Sequence, residues 1–553
     1  QDLSALTKGL AAEASVSFDN IGGMNETTNK EYRYMNSNAS ITSDGTLVTT
    51  PAIYGTDSET LGHTQPFERL MLRSDFQAKV DYNRTFGKHQ VGGALIYDMQ
   101  SVVKNGRNNS QKNQSVLVNA TYTYDNRYSL NAVFNRSGSA YLPDGDKYSN
   151  YPAVSAAWIV SNEAFMEKVT PINLFKIRAS YGLSGWDGNL SHELWRQSYG
   201  SGGAGYNFGV NAGGQSGGSE GDLPVIGLVA EKSQKATFGF DLAAFDNRLN
   251  ATVEGFYEKR SDILVSGANS TSGIIGITVG QVNEGIYKYK GVDASLSWND
   301  KIGDFHYGIG ASMSYLNTEV VNVNQAYQEY DYLYTKGNRI GQMYGLEAIG
   351  FFNSQQEINN SPQQTFSDVA PGDVKYKDQN GDNRIDEKDI VKMFGSSVPR
   401  FYFGFNLNFS YKRLELSADF QGMTGVTVSL LNSPLYSPLV SNGNISNTFL
   451  NEEISWTPEN KTNATMPRLT TQENLNNYRA SSLWYRDGSF LKLRNLLVAY
   501  TFPKSQTRFA DLKVFVQGTN LFSLDNIHFA DPEQLGIAYP STRSYWAGIK
   551  LNF

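Results

Sequence analysis

Ser544-Tyr545-Trp546-Ala547-Gly548-Ile549-Lys550-Leu551-Asn552-Phe553 is the stretch that decides the fold. Tyr545, Ala547, Ile549, Leu551 and Phe553 fall on one face of an extended chain, and Ser544, Gly548, Lys550 and Asn552 on the other, with Trp546 the exception. Side chains at i and i+2 share a face of a strand. A strand of about ten residues with one apolar and one polar face is the unit of a membrane-spanning β-barrel. Because the chain stops inside this strand, no tail is expected outside the wall.

The same pattern recurs upstream. Phe401, Phe403, Phe405, Leu407, Phe409 and Tyr411 oppose Gly404, Asn406, Asn408 and Ser410. Phe305, Tyr307, Ile309, Ala311, Met313 and Tyr315 oppose His306, Gly308, Gly310, Ser312 and Ser314. Leu249, Ala251, Val253 and Tyr257 oppose Asn250, Thr252, Glu254 and Glu258, and Tyr128, Leu130, Ala132 and Phe134 oppose Ser129, Asn131 and Asn135. A charge on the lipid face at mid-bilayer costs about 2–4 kcal/mol, and in these strands the charges keep to the other face.

Composition fits this without requiring it. The 553 residues have a net charge of −7, which argues against nucleic acid as a partner, and no Cys, which excludes thiol catalysis, disulfides and Cys metal sites. No apolar run approaches the roughly 18 residues of a membrane helix, and mean hydropathy is −0.42. Alternating strands average to polar, so this value does not exclude a barrel. The 33 Tyr and 30 Phe suit interfacial girdles or a sugar-binding sandwich. No signal peptide stands at Gln1, which for an exported protein means a leader already removed.

Connections are sorted by length. Short turns are expected at 86–89, 125–127, 246–248, 300–304 and 411–413, and long polar segments at 20–66, 185–232, 266–287, 323–400 and 425–488. Segment 200–221, rich in Gly and Ser, is expected to be a flexible part of an external loop. Period-two matching gives about 16 strands, all-β and antiparallel, with both ends at the short-turn rim.

Tyr151-Pro152-Ala153-Val154-Ser155-Ala156-Ala157-Trp158, Phe165-Met166, Lys176-Ile177-Arg178-Ala179-Ser180-Tyr181-Gly182, Pro371-Gly372-Asp373-Val374-Lys375-Tyr376, Asp487-Gly488-Ser489-Phe490-Leu491-Lys492-Leu493-Arg494-Asn495 and Gly518-Thr519-Asn520-Leu521-Phe522 run in one order along the chain. With the terminal strand they resemble the SusC-like (SusC/RagA) TonB-dependent outer-membrane transporters of Bacteroidetes. The resemblance implies a 22-stranded transmembrane β-barrel, of which residues 1–553 are expected to be the C-terminal part, with the plug domain and TonB box absent from the sequence. It further implies TonB-dependent import of oligosaccharides or oligopeptides across the outer membrane, a SusD-like lipoprotein lid, TonB as the source of work, and a dimer of transporter–lid pairs. No enzymatic step is needed. Two rival readings are a soluble, calcium-stiffened carbohydrate-binding β-sandwich, which the loop sorting does not favour, and a passive porin.

One segment has ligand spacing for a hard cation. Asp378, Asn380, Asp382 and Asp389 stand at positions 1, 3, 5 and 12 of a loop, with the Arg384 carbonyl at position 7 and Asp386 at position 9. This is EF-hand spacing for Ca²⁺, except that Gly381 falls at position 4 and position 12 is Asp. The alternative is an acidic turn held by hydrogen bonds. Tyr327, Tyr330, Tyr332 and Tyr334, with Trp484 and Tyr485, are candidate substrate-stacking rings, or rings that pack loops onto the barrel mouth. Lys492 and Arg494 are expected to face a polar lumen. Gly217-Gly218-Ser219-Glu220-Gly221 matches a nucleophile elbow only by pattern, since it lies in a Gly-rich loop. His63, His89, His192, His306 and His528 lack ligand spacing.

Overall fold

A computed structural model describes the chain apart from residues 1, 25, 42–45, 59, 65–66, 105–109, 192, 208–213, 268–273, 275, 278, 433–453, 471–473, 528–529 and 536–540. Sixteen strands form one antiparallel sheet in chain order. They are β1 Leu10–Met24, β2 Phe67–Phe86, β3 His89–Lys104, β4 Ser110–Tyr124, β5 Tyr128–Ser139, β6 Tyr148–Ile159, β7 Ile172–Trp186 and β8 Glu231–Ala244. The remainder are β9 Leu249–Ser266, β10 Gln281–Ile302, β11 Phe305–Asn322, β12 Phe401–Tyr411, β13 Leu414–Thr424, β14 Phe490–Phe502, β15 Asp511–Asp525 and β16 Ser544–Asn552. β1 and β16 are the two edges, and among the described residues they do not pair with each other.

Register makes two rows of opposite chemistry. Ala251, Leu296, Ala311, Phe405 and Phe420 are successive partners across β9 to β13. One residue along, Thr252, Ser295, Ser312, Gly404, Gln421 and Lys492 form the adjacent row. Because the side-chain period is two, the first row lies wholly on one face and the second on the other. The apolar face is uncovered: Leu296 is 52% exposed, Ile309 45% and Val516 57%. Among the described residues no second large sheet packs on it, which removes the physical basis of the sandwich reading.

Aromatic rings bracket the apolar band. At the short-turn rim Tyr128 stacks on Trp158, Phe305 on Phe409, and Tyr500 meets Phe502 edge-on. Higher up, Tyr315 packs against Phe401 with centroids 4.9 Å apart. Phe305 and Tyr315 are ten residues apart, as are Phe401 and Tyr411. At about 3.3 Å per residue and a tilt of about 40°, that spans about 25 Å, the height of a hydrocarbon band between girdles.

Turns at the lower rim are tight. Asp125 and Asn126, Phe245 to Asn247, and Lys412 all take positive φ there. The 160–171 connection is longer and carries Glu163, which accepts hydrogen bonds from the Tyr128 hydroxyl at 2.6 Å and the Trp158 indole at 3.1 Å. At the other rim lie the long segments, with three shorter links (105–109, 140–147 and 526–543) beyond those expected. β10 starts at Gln281, so the last part of the expected 266–287 loop, residues 281–287, is strand standing above the upper girdle. Segment 200–221 departs from the flexible loop expected: Tyr199–Asn207 and Gly214–Glu220 pair as a hairpin, with Tyr199 opposite Glu220. The Ser219 pattern therefore lies on a strand paired with Gly200, without the strand–turn–helix that a nucleophile elbow requires.

Candidate transport lumen and loop platform

The polar face is a hydrogen-bonded wall. Lys176 and Arg178 on β7 both approach Asp241 on β8 at 3.4 Å, and Arg178 also pairs with Glu254 on β9. Thr252 donates to Asp241 at 3.2 Å. Farther round, Ser417 donates to Asn408 at 2.7 Å, Asn495 to Asp419 at 3.2 Å, and Gln517 to Asn495 at 2.8 Å. A concavity of about 570 Å³ on this face is lined by Arg178, Glu254, Asp293, Ser314, Tyr402 and Gln421. Toward the loop rim the same face carries Arg260 over the Tyr289 ring at 4.7 Å, with Glu258 on the guanidinium at 2.6 Å. Ion pairs, amides and rings arranged in this way are the groups that can hold a polar molecule by many weak contacts.

Lys492 and Arg494 face inward as expected, and a β-bulge between Leu493 and Asn495 turns both Arg494 and Asn495 to that side. Neither cation is open to a ligand. Lys492, nearly buried, contacts Asp531 at 2.5 Å and Glu533 at 2.6 Å, and Arg494 contacts Glu533 at 2.6 Å. Both acids come from the 526–543 connection. Burial acts to raise the carboxyls of Asp531 and Glu533, but hydrogen bonds and charge from Lys492 and, for Glu533, Arg494 hold both below the usual range.

Above the wall, connections 323–400 and 425–489 fold together. Leu346, Val374, Tyr376 and Ile385 form one buried cluster, and Leu430, Met466 and Trp484 another, with Leu483 touching both. Asp373, wholly buried, accepts from Arg468, Asn474, Asn477 and the Ala370 N–H. Asn477 returns a bond by accepting from the Val374 N–H at 2.9 Å, and the Tyr376 hydroxyl donates to the Asn476 carbonyl at 2.8 Å. Burial pushes the Tyr478 phenol up to about 12 and Tyr376 higher still. None of Arg468, Asn474 or Asn477 was singled out in the sequence. Their only signal was the polar cluster Asn474-Leu475-Asn476-Asn477 in a segment otherwise taken as loop.

This platform corrects two expected substrate contacts. Trp484 is fully buried and its indole N–H donates to the Asn477 carbonyl at 2.7 Å; Tyr485 is 7% exposed and donates to the Tyr344 carbonyl at 2.7 Å. Both rings are core. Tyr332 donates to the Lys388 carbonyl at 2.6 Å and stacks on Tyr330, while Tyr334 accepts from the Gln328 N–H at 3.0 Å. These three fasten one part of the platform to another. Tyr327, 85% exposed, is the ring of the set that faces outward.

The Asp378–Asp389 loop is held by its own amides. Asp378 accepts from Gly381 and Asn383, Asn380 from Asp382, Asp382 from Arg384, and Asp386 from Lys388. Asp389 is wholly buried and accepts from Gln379 at 2.7 Å and Asp386 at 2.9 Å. Among the described residues no three His, Cys, Asp or Glu side chains converge as a metal would require. Both carboxylate oxygens of Asp389 are thus engaged by amides of its own loop, and a cation held at the EF-hand position would have to displace the Gln379 and Asp386 bonds. Of the histidines, His89 lies against Tyr122 and Tyr124 in the lower girdle and His63 contacts Glu26 at 3.2 Å. His192 and His528 lie outside the described residues.

The architecture is that of a TonB-dependent transporter barrel. It superposes on the RagAB peptide transporter with a TM-score of 0.71 at 18% identity, covering 100% of this chain and 63% of that one. The "closed-closed" state of the RagAB peptide importer gives 0.69 at 18% identity, with the same coverage. By sequence the chain is similar to TonB-dependent receptors, SusC among them. It is 28% identical over 461 residues to TonB-dependent receptor P26 of Formosa agariphila (78% of this chain, 45% of the relative) and 26% identical over 546 residues to receptor P3 of the same organism (85% and 51%). It is 22% identical over 467 residues to TonB-dependent receptor SusC of Bacteroides thetaiotaomicron (78% and 43%). The chain spans about half the length of the curated relatives it matches. No family model matches it.

Proposed function

We propose that the chain is the C-terminal barrel portion of an outer-membrane importer that takes up oligomeric nutrients, oligosaccharides or oligopeptides, with work supplied through TonB. The observation that carries this is the single sheet with a bare apolar face, an ion-paired polar face, and the longest connections all on one rim. In hydrocarbon an unpaired strand edge exposes backbone groups that cost several kcal/mol each. Closure therefore calls for further strands of the complete transporter between β1 and β16, and a plug within the ring.

The folded 323–400 and 425–489 platform supports a second element of the proposal, a SusD-like lipoprotein lid seated on the loop rim. A dimer of transporter–lid pairs belongs to the same reading. Substrate would lie between lid and lumen wall, gripped by amides, ion pairs and rings. The RagAB relatives are named for peptides, which supports the oligopeptide arm; the wall chemistry accommodates both.

The test is uptake of fluorescent oligosaccharides and oligopeptides by cells producing the complete protein, against a deletion strain. Import that needs both the gene and the proton-motive force is expected. Uptake unchanged by the deletion defeats the reading, and gene-dependent uptake that survives collapse of the proton-motive force makes the protein a passive porin.

A further inference from the structure

The alternation that keeps charge off the apolar face is broken near the upper girdle between β4 and β6. Lys112 on β4 and Arg136 on β5 share the face of Val116, Val118 and Phe134, since Val116 is the partner of Arg136 and Val118 of Phe134. Lys112 lies twelve residues before Tyr124, beyond the ten-residue band, and Arg136 eight above Tyr128, just inside it, where a long side chain can snorkel to the interface. Depth makes the two charges permissible but assigns them no use.

A groove of about 550 Å³ lies beside them on the same outward face. Its apolar walls are Val16, Phe76 and Met99, its floor includes Ser74 and Ser101, and Lys112, Gln114 and Tyr148 close one end. Two features open it. Ser74 and Ser101 are cross-strand partners between bulkier residues. Gly138 has no side chain where a Cβ would come within 2.5 Å of the Tyr148 ring, so that ring lies down over β5. Gln114 donates to the Tyr148 hydroxyl, and the Arg136 guanidinium sits over the same ring at 5.5 Å. Among the described residues neither Lys112 nor Arg136 has a carboxylate partner, whereas Lys147, also on the groove, is paired with Asp144. An apolar trough closed by Lys112 and by the Tyr148 ring beneath Arg136, beside the upper girdle, matches an amphiphile with an anionic head.

We propose that this groove holds a phospholipid of net negative charge from the surrounding leaflet, one acyl chain along Val16, Phe76 and Met99 and the headgroup phosphate at Lys112 and Arg136. The proposal rests on the reading of this face as lipid-facing. It is tested on the complete protein in detergent by native mass spectrometry and thermal shift, with phosphatidylglycerol against phosphatidylcholine of the same chains. Two cations at about 1 kcal/mol each give the anionic lipid a preference of at least about tenfold. The K112Q/R136Q double variant is expected to bring the two lipids to parity. Ser101→Phe, which fills the floor and leaves both cations, is expected to weaken retention of both lipids. Equal retention of the two lipids by the unaltered protein, a preference that persists in K112Q/R136Q, or an equal stabilisation by inorganic phosphate alone would overturn it. A protein that stays monodisperse without detergent would instead defeat the membrane reading beneath it.

Discussion

Arg468 reaches back 95 residues along the chain to close its guanidinium on the buried Asp373 carboxylate, at 2.7 and 3.1 Å. The pair joins the two longest connections of the structure, and Asn474 and Asn477 satisfy the remaining lone pairs of the acid. Gly372 just before it takes φ +94°, and a Cβ there would meet the Trp456 ring at 2.4 Å. The turn that presents Asp373 thus depends on glycine both for its conformation and for its space.

Removing one partner of such a pair strands a buried charge, at a cost of about 3–5 kcal/mol. Arg468→Ala is therefore expected to loosen the platform while the sheet persists. Hydrogen exchange should show lost protection across residues 342–376 and 474–487, with β9 to β13 unchanged. Uniform loss of protection, or none, would show that the platform does not depend on this pair.

The ties of Lys492 and Arg494 to Asp531 and Glu533 make a pH-dependent anchor for connection 526–543. Both acids titrate below their ordinary values when folded. Their contribution is complete above the unfolded carboxylate pKa of about 4 and disappears as pH falls through the lower folded values. Proteolysis at residues 526–535 should be constant from pH 8 to 5 and rise only below about pH 4. Lys492→Met should raise it at neutral pH and flatten the acid dependence.

Register alone predicts an asymmetry between neighbouring residues of β10. Leu296 lies on the bare apolar face near mid-band and Ser295 on the polar wall. Leu296→Arg is expected to cost about 2–4 kcal/mol of barrel stability, and Ser295→Arg much less. The fraction folded in urea, followed by the gel shift of heated against unheated protein, measures both. Equal costs would mean the two faces have been assigned wrongly.

The sheet was legible in the sequence because each strand declares its two faces locally. Strands Phe305–Asn322, Phe401–Tyr411 and Ser544–Asn552 appear where alternation placed them, and the count of 16 stands. The platform was not legible, because its core joins segments about 100 residues apart and no period marks the contacts. Trp484 and Tyr332 look alike as loop aromatics; only the fold separates a ring wholly buried against Leu430 and Met466 from one that fastens a loop by its hydroxyl. Asp389 shows a related limit. Ligand spacing fixes which residues recur, but not that a shorter side chain at position 12 turns inward onto Gln379 and Asp386.

That inward turn gives the last prediction. With Asp389 occupied by two backbone amides, the Asp378–Asp389 loop should not need a cation, and chelator or millimolar Ca²⁺ should leave its protease resistance unaltered. Asp389→Ala removes an acceptor from two partly buried N–H groups, a loss of at most about 1–3 kcal/mol for each group left unsatisfied. Because Tyr332 docks on the Lys388 carbonyl beside it, the variant should also free the Tyr330–Tyr332 stack, seen as increased cleavage between residues 327 and 336. A Ca²⁺-dependent gain in loop protection that Asp389→Ala abolishes would show instead that Asp389 swings round to serve as a ligand, and that the loop has two arrangements rather than one.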